Sequence, residues 1–431
     1  MLADKKNVAA HLPKRWFKVD NAGKIFPGQR TETWSNVFRV SVVLKEKIVP
    51  EILEQALEDV LPRFPCFDVK IKKGFFWYYL QENEFVAPPV MLDVNNPCHR
   101  IKWNENNHFL FKVYYYDKRI SVDFFHVLTD GYGGSLFLCT LAARYLTLCG
   151  HNISVGGNVL DINEPATEDE INDAFVKFAN SKAKLKKFNK FVYHAKGTKL
   201  PNHRVNITTG FMPVDALKKK AAEYNATITE FLGALLLYIH YQKQNRECYK
   251  KKDVSVQIPV NLRRTFPTNT FRNFSLCYSV RIDPNMGEYT FEEVVKQVSL
   301  YLRYINNEKQ LNAMISNNLK LESNPINRVL PLFIKDAAIG LSFLITGEQT
   351  TSVLLTNLGV VKLPKDMEPF VDKFIFMAGP GKLNGARCGA SSLGNCLALT
   401  FANIYAESDI EREFFTSLVK MGIHVKVESN R

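Results

Sequence analysis

The join at residues 120–148 constrains this chain more than any other stretch. Residues 120–126 (ISVDFFH) read as a strand. Past Gly131, Gly133 and Gly134 runs SLFLCTLAARYLTL, apolar nearly all round. A helix without a polar face is a buried helix, so a strand and a buried helix meet at one short turn. That turn presents Phe125-His126-Val-Leu-Thr-Asp130-Gly131. An imidazole held in one pose can take a hydroxyl proton near neutral pH and return it to a leaving group. Asp130, four residues on, is poorly placed to be a second base on the same face. A buried carboxylate at such a turn pairs with an arginine and locks the loop. Gly131 permits a positive φ or a close approach ahead of the helix. The bland reading of a histidine at a strand end is a satisfied structural side chain.

The rest of the first half alternates strand and helix signals. Residues 37–44 alternate as a half-buried strand does. Pro50 opens a helix with Leu53, Ala56, Leu57, Val60 and Leu61 on one face. Residues 67–72 and 75–80 read as a hairpin turning at Lys73-Gly74, and 108–116 pairs with 120–126. Residues 150–210 break the rhythm with an acidic run and a lysine-dense stretch from Lys177 to Lys199, which reads as a solvated crossover. A strand and a helix then begin again. Thr227-x-x-Glu230 forms a capping box ahead of FLGALLLYIHY. Strands are expected at 254–260, 276–282, 353–359, 374–379 and 397–404. Ser408-x-x-Glu411 caps a last helix, Gly422 stops it, and IHVKVE ends as a strand. Both halves thus read as α+β with mixed sheets. Gly379-Pro-Gly381 is a plain turn, and GYGGS lacks the lysine of a phosphate-binding loop.

At 431 residues the chain is long enough for about two or three domain-sized units. Its net charge of +13 suits an anionic partner: nucleic acid, an acidic membrane, an acidic carrier protein or a phosphorylated cofactor. Nucleic acid is set aside, because the sequence has no finger spacing, no RNP-like aromatic run and no arginine-rich block. The lysines are scattered, as on a solvated surface. None of the cysteines forms a C-x-x-C pair, so no metal site is expected. The first seventeen residues lack a continuous apolar core. The longest apolar stretches, 233–239 and 337–345, fall short of the roughly 18 residues a span needs. The expectation is a cytoplasmic chain without a transmembrane segment.

His126-x-x-x-Asp130-Gly131 resembles the signature of the chloramphenicol acetyltransferase-like superfamily of CoA-dependent acyltransferases. That group includes alcohol O-acetyltransferases, plant BAHD enzymes, wax ester synthases and peptide-synthetase condensation domains. The bacterial alcohol acetyltransferases are closest in flavour, and the resemblance covers most of the chain. Arg63, in LPRFPCFDV, sits where condensation domains carry an arginine that pairs with the motif aspartate. Pro259-Val-Asn261-Leu-Arg263 and Asn273 resemble segments of the second lobe. Thr356-Asn357-Leu-Gly359 resembles a Ser-Asn-x-Gly segment that faces the catalytic channel. Two features depart from the branches: Phe125 replaces the first histidine of condensation domains, and the BAHD D-F-G-W-G segment is absent.

The resemblance implies two chloramphenicol acetyltransferase-like lobes with a tunnel between them. They would span 1–180 and 205–431, with 181–204 as a basic crossover. It implies that His126 is the general base for direct attack of a hydroxyl or amine on acyl-CoA, with CoA as co-substrate, no bound cofactor and no metal. Thr356 or a nearby backbone N–H would stabilise the oxyanion, with Asn357 and Gly359 beside it in the tunnel. Asp130, Gly131 and Arg63 would support the motif. Asn261, Arg263 and Asn273 would lie at the lobe interface or against substrate. Two alternatives stay open: an acyl carrier protein as donor, and a non-catalytic binding protein on the same fold. One chain forms the whole tunnel, so a monomer suffices.

Overall fold

The computed structural model describes residues 14–29, 34–94, 96–183, 190–201, 204–343, 348–381, 383 and 385–431. The hexapeptide 184–189 and residues 202–203, within the expected crossover, lie outside the described residues, as do 1–13.

Two large sheets organise the chain. The first runs Val371–Met377, Val37–Leu44, Arg119–Phe125, Phe111–Tyr116, Val90–Leu92, antiparallel except for its last pair. The second runs Ser275–Ile282, Val254–Asn261, Val353–Val361, Ala386–Leu393, Cys396–Asn403, Asn206–Pro213, Lys426–Ser429. Its third strand, Val353–Val361, is parallel to both neighbours, and the other pairs are antiparallel. A small third sheet orders Trp16–Lys18, Tyr78–Glu82, Val69–Lys73. Mixed sheets with helices on their faces make this the expected α+β architecture.

Val371–Met377 joins the two parts. It belongs by sequence to the second half, yet pairs with Val37–Leu44, Phe376 opposite Val40. Ser391 Oγ donates to Phe374 O at 3.0 Å, tying this strand back to the second sheet. A β-carbon at Gly389 would lie 2.9 Å from Ala378 N, so glycine lets the two sheets approach there.

The cores follow the sequence pattern. The Pro50–Val60 helix starts with proline at its first turn after extended Val49, and buries Leu53, Ala56, Leu57 and Val60. It packs on the Gly131–Leu148 helix, buried from Gly133 through Ala143 as its composition requires. Around it, rings of Phe64, Phe67, Phe111, Phe124 and Phe137 meet at 5.1–5.9 Å between centroids, a range favourable for tilted and edge-on pairs. Thr227 and Glu230 form the expected capping box on Ile228–Glu247: Glu230 N donates to Thr227 Oγ1 at 3.3 Å, and Thr227 N to Glu230 Oε2 at 2.8 Å.

Some readings change. Ser408 precedes the Asp409–Lys420 helix but makes no side-chain cap, because its backbone is not in the extended conformation that aims the hydroxyl at the helix N–H groups. The strand Ala386–Leu393 was not anticipated: Gly389, Ala390 and two serines give it no β-branched pattern. The helices Phe291–Ile305, Glu308–Ser323 and Leu332–Ser342 were not assigned either.

Candidate active site

Arg119–Phe125 lies inside the first sheet, and His126 is the residue just past its end. The ladder continues one step, with His126 N donating to Asn36 O at 2.8 Å. Leu128 N then closes a turn on Phe125 O at 3.0 Å. The imidazole stacks on Phe26, with centroids 4.6 Å apart and planes at 28°, and meets Phe38 edge-on at 5.1 Å.

Its Nδ1 lies 2.9 Å from Asn273 Oδ1. The neighbours of Asn273 fix which end of that amide faces the ring. Asn273 Nδ2 stands 2.9 Å from the His126 carbonyl oxygen and 3.0 Å from Asp20 Oδ2. A carbonyl only accepts, so the nitrogen must be on that side. Oδ1 therefore accepts from Nδ1–H, and Nε2 keeps the lone pair. Burial between aromatic rings holds the imidazole below its ordinary pKa, against the opposing pull of the Asp130 carboxylate. His126 is thus neutral near pH 7, with its basic nitrogen defined.

Asp20 is fully buried. Its Oδ1 accepts from Gly23 N at 2.6 Å, and its Oδ2 lies 3.5 Å from Arg272 Nε. Burial pushes its carboxyl up, while Arg272 opposes the shift. No sequence signal pointed to Asp20. It sits in a short polar turn far from the motif, and only folding sets it behind Asn273. Asn273 was expected at the interface or against substrate; it is at the interface, touching the imidazole itself.

Asp130 caps the Gly131–Leu148 helix, accepting from Tyr132 N at 3.1 Å and Gly133 N at 3.3 Å. A carboxylate is favoured there by the unpaired N–H groups and the helix dipole. Its other oxygen accepts from Phe274 N at 2.9 Å and Arg263 Nη1 at 2.8 Å. The expected pairing of Asp130 with Arg63 is corrected: the partner is Arg263. Arg63 gives both terminal nitrogens to Glu170, at 3.0 and 2.7 Å, and Nε to Asp161 O. Arg63 follows the Pro50–Val60 helix and meets the Glu168–Ile171 turn. Arg263 follows Val254–Asn261 and reaches the helix N-terminus from the second half, its guanidinium 4.5 Å from the Tyr132 ring. Sequence identified an arginine partner but not which arginine.

Gly131 is placed by close approach and not by a positive φ. A β-carbon there would lie 3.2 Å from Leu358 and 3.3 Å from Phe376. The tighter position is Gly133, where a β-carbon would overlap Phe271 O and Thr129 Oγ1. Thr129 Oγ1 donates to that same carbonyl at 2.5 Å.

His126, Asp130, Gly131 and Asn273 line a cavity of about 790 Å³, together with Asn261, Thr356 and Asn357. Asn357 Nδ2 donates to Thr229 Oγ1 at 2.9 Å, and its Oδ1 accepts from Gly359 N at 2.9 Å. Gly359 has φ +86°, beside the irregularity that shifts the register of the Val353–Val361 strand, and does not line the cavity. Arg63 and Arg263 do not line it either. Part of the lining is aromatic and aliphatic (Phe26, Trp34, Phe38, Ile339, Phe376), and part is polar (Gln257, Asn261, Ser275, Thr356). The polar part also includes Arg387, paired with Glu348 at 2.6 Å, which sequence reading missed. Among the described residues no group of three His, Cys, Asp or Glu side chains is placed to hold a metal ion. No described helix is long and apolar enough to cross a membrane.

No family model and no curated protein matches the sequence. Solved structures do match the fold. TRI101 of F. graminearum, solved with coenzyme A and T-2 mycotoxin, aligns with a TM-score of 0.63 at 10% identity, over 96% of this chain and 100% of that one. The TRI3 trichothecene 15-O-acetyltransferase of Fusarium sporotrichioides aligns at 0.57 and 12% identity, over 97% and 96%. The first condensation domain of the CDA synthetase aligns at 0.58 and 12%, over 94% and 95%. Coverage of this kind takes in both lobes and the sheet-to-sheet junction where His126 sits, and the chain therefore has the two-lobed chloramphenicol acetyltransferase-like fold.

Proposed function

We propose that this chain is an acyltransferase that moves an acyl group, acetyl in the alcohol O-acetyltransferase subtype, from acyl-CoA to a hydroxyl or amine of a small acceptor. The observation that supports it most is the tautomer of His126. Asn273 Oδ1 accepts a hydrogen bond from Nδ1–H, so Nε2 has a free lone pair on a side chain that lines the cavity.

In this reading the acceptor O–H (or N–H) gives its proton to Nε2 as its heteroatom attacks the thioester carbonyl carbon. The tetrahedral oxyanion is held by the Thr356 hydroxyl or a nearby backbone N–H. Collapse breaks the C–S bond, and Nε2–H returns its proton to the leaving thiolate. The products are the ester or amide and the free thiol. Positive charge on the ring between these steps is met by Asn273 Oδ1, with Asp20 behind it. Asp130 and Arg263 hold the turn and take no proton. The reaction runs within a single chain, in the cytoplasm.

The test is thiol release from acetyl-CoA and longer acyl-CoAs with mixed alcohol and amine acceptors. Acceptor-dependent release should fall at least about a hundredfold in His126→Ala, the usual contribution of a positioned base. Equal release from both proteins would remove His126 as the base. The likeness to a condensation domain and the net charge of +13 favour a second donor, an acidic acyl carrier protein. Rates with a carrier-bound acyl group that exceed those with acyl-CoA and fall with salt would favour that donor.

A further inference from the structure

The Leu332–Ser342 helix is turned inside out. Apart from the terminal Ser342, its exposed residues are Phe333, Ile334, Ala337, Ala338 and Leu341. Their spacing makes one helical face, and none is polar. Phe333 is 73% exposed and Leu341 59%. The polar side chains point inward instead. Lys335 Nζ donates to Phe76 O at 2.8 Å and sits 3.5 Å from the Trp77 ring centroid, and Asp336 accepts from the Tyr78 hydroxyl at 2.6 Å. A helix facing water has the opposite arrangement.

The apolar face extends onto the neighbouring hairpin tip. Phe75 is 71% exposed, and Leu332 N donates to Phe75 O at 2.9 Å, fixing tip to helix. Val329, just before the helix, is also exposed. Cations rim this surface. Lys72 and Lys73 are exposed at the end of the strand leading into the tip, and Arg328 is exposed beside Val329. Glu322, a carboxylate that lines the cavity, is engaged by Lys24 and by Asn21 Nδ2 at 3.0 Å. The same surface leads into the cavity, since Ile334 and Ala338 belong to the exposed stripe and to the cavity lining.

We infer that this face docks on an anionic lipid bilayer. The Leu332–Ser342 helix would lie in the interface, and the cavity would open toward the acyl-chain region. An apolar helix face with cations at its rim matches such a surface in both parts: apolar area enters the acyl boundary, and lysines meet anionic headgroups. A second copy of the chain fits less well, because a two-fold pairing of this face sets one cationic rim, Lys72, Lys73 and Arg328, against another. The docking does not depend on the chemistry proposed above. Only its consequence rests on that reading, namely that a lipid-borne acceptor or acyl group reaches His126 directly from the bilayer.

The experiment is co-sedimentation of the full chain with vesicles of phosphatidylcholine, with and without phosphatidylglycerol. Wild type should partition onto the anionic vesicles and more weakly onto the neutral ones. Phe333→Glu, Leu341→Glu and Phe75→Glu should each lower partitioning about tenfold or more, since each removes one large apolar side chain from the interface. Lys72→Glu should weaken binding to anionic vesicles alone. None of these residues lines the cavity, so thiol release with a water-soluble acceptor should stay at the wild-type rate, which also reports folding. Failure of wild type to partition would overturn the inference, and so would partitioning that Phe333→Glu leaves intact. A concentration-dependent dimer abolished by Phe333→Glu, with no vesicle binding, would assign the face to a second copy and also overturn it. A chain that binds vesicles but releases no thiol from acyl-CoA or from a carrier-bound acyl group would keep the docking face and remove the acyltransferase reading.

Discussion

His126 and Asp130 stand four residues apart, and both are tied to the second half of the chain, but by different kinds of connection. Asp130 sits in a mesh. Four donors converge on its two oxygens, and one of them, Arg263, is itself held by Asn261 Oδ1, Thr270 O and Arg272 O. His126 sits at the end of a single file: Nδ1 to Asn273, Asn273 to Asp20, Asp20 to the Gly23 N–H. A mesh fixes position and tolerates little loss, because each removed member leaves a buried polar group unpaired. A single file carries orientation and charge to the ring, and bears on the fold only at its far end, where Asp20 faces the buried Arg272. The two regions should therefore fail in different ways when cut.

The largest effect is expected on the mesh. Asp130→Ala leaves the Arg263 guanidinium, only 6% exposed, without its counter-charge. Breaking a buried pair from one side costs about 3–5 kcal/mol, and the lost helix cap adds about 1 kcal/mol. The denaturation midpoint should drop sharply, and soluble yield with it. If Asp130→Ala unfolds at the wild-type midpoint and loses turnover alone, Asp130 takes part in chemistry and the contrast fails.

Cutting the file at Asn273 should separate turnover from stability. Asn273→Ala frees the ring to present either tautomer. By the usual cost of losing an orienting partner, kcat should fall about ten- to hundredfold, with the KM for acyl-CoA nearly unchanged. Asp20→Asn keeps the shape and an acceptor oxygen but removes the charge, so its loss of kcat should be smaller than that of Asn273→Ala, while its stability should fall too, because Arg272, 2% exposed, loses the carboxylate beside it. A rise in KM at constant kcat in either variant would make Asn273 a substrate contact and not an orienting group.

The mesh was partly legible in the sequence and the file was not, for a physical reason. Asp130-Gly131 ahead of an apolar run is local: a cap, a close approach and a buried helix leave marks within a few residues of one another. The need for an arginine partner followed from burying that carboxylate. Choosing between Arg63 and Arg263 required knowing which turn returns to the helix N-terminus, and that is set by sheet order. The file joins Asp20, His126 and Asn273 across three distant segments, and none of the three carries a local mark of the other two. The fold follows the same division. Pro50, the Thr227 box and alternating strands such as Val37–Leu44 announce themselves. The placement of Val371–Met377 beside Val37–Leu44 does not, since a strand's sequence tells which face is buried and not which neighbour covers its edge. Asp20 further shows why the support behind Asn273 was missed: buried polar groups satisfied by distant partners look like surface residues until the chain folds.

The smallest effect is the most direct probe of the charge on the ring. Burial against Phe26 and Phe38 disfavours the imidazolium and holds the His126 pKa below the ordinary value of about 6.5. A base that must be neutral to act then works to lower pH than a free histidine would, so the acidic limb of kcat/KM should fall below that value. Phe26→Ala removes the stacked ring and admits water, which favours the charged form. The limb should move up toward the ordinary value, so that at pH 6 the variant loses a few-fold more of its own plateau rate than wild type does. The same sign applies to stability. The unfolded chain binds this proton more readily, so stability declines as pH falls from about 6.5 toward the lower value the folded ring has, and the decline is smaller in Phe26→Ala. A limb that stays in place in Phe26→Ala, or moves down, would mean that Asn273 and Asp20 set the charge state of His126 and the aromatic wall does not, and the file would then control both tautomer and protonation.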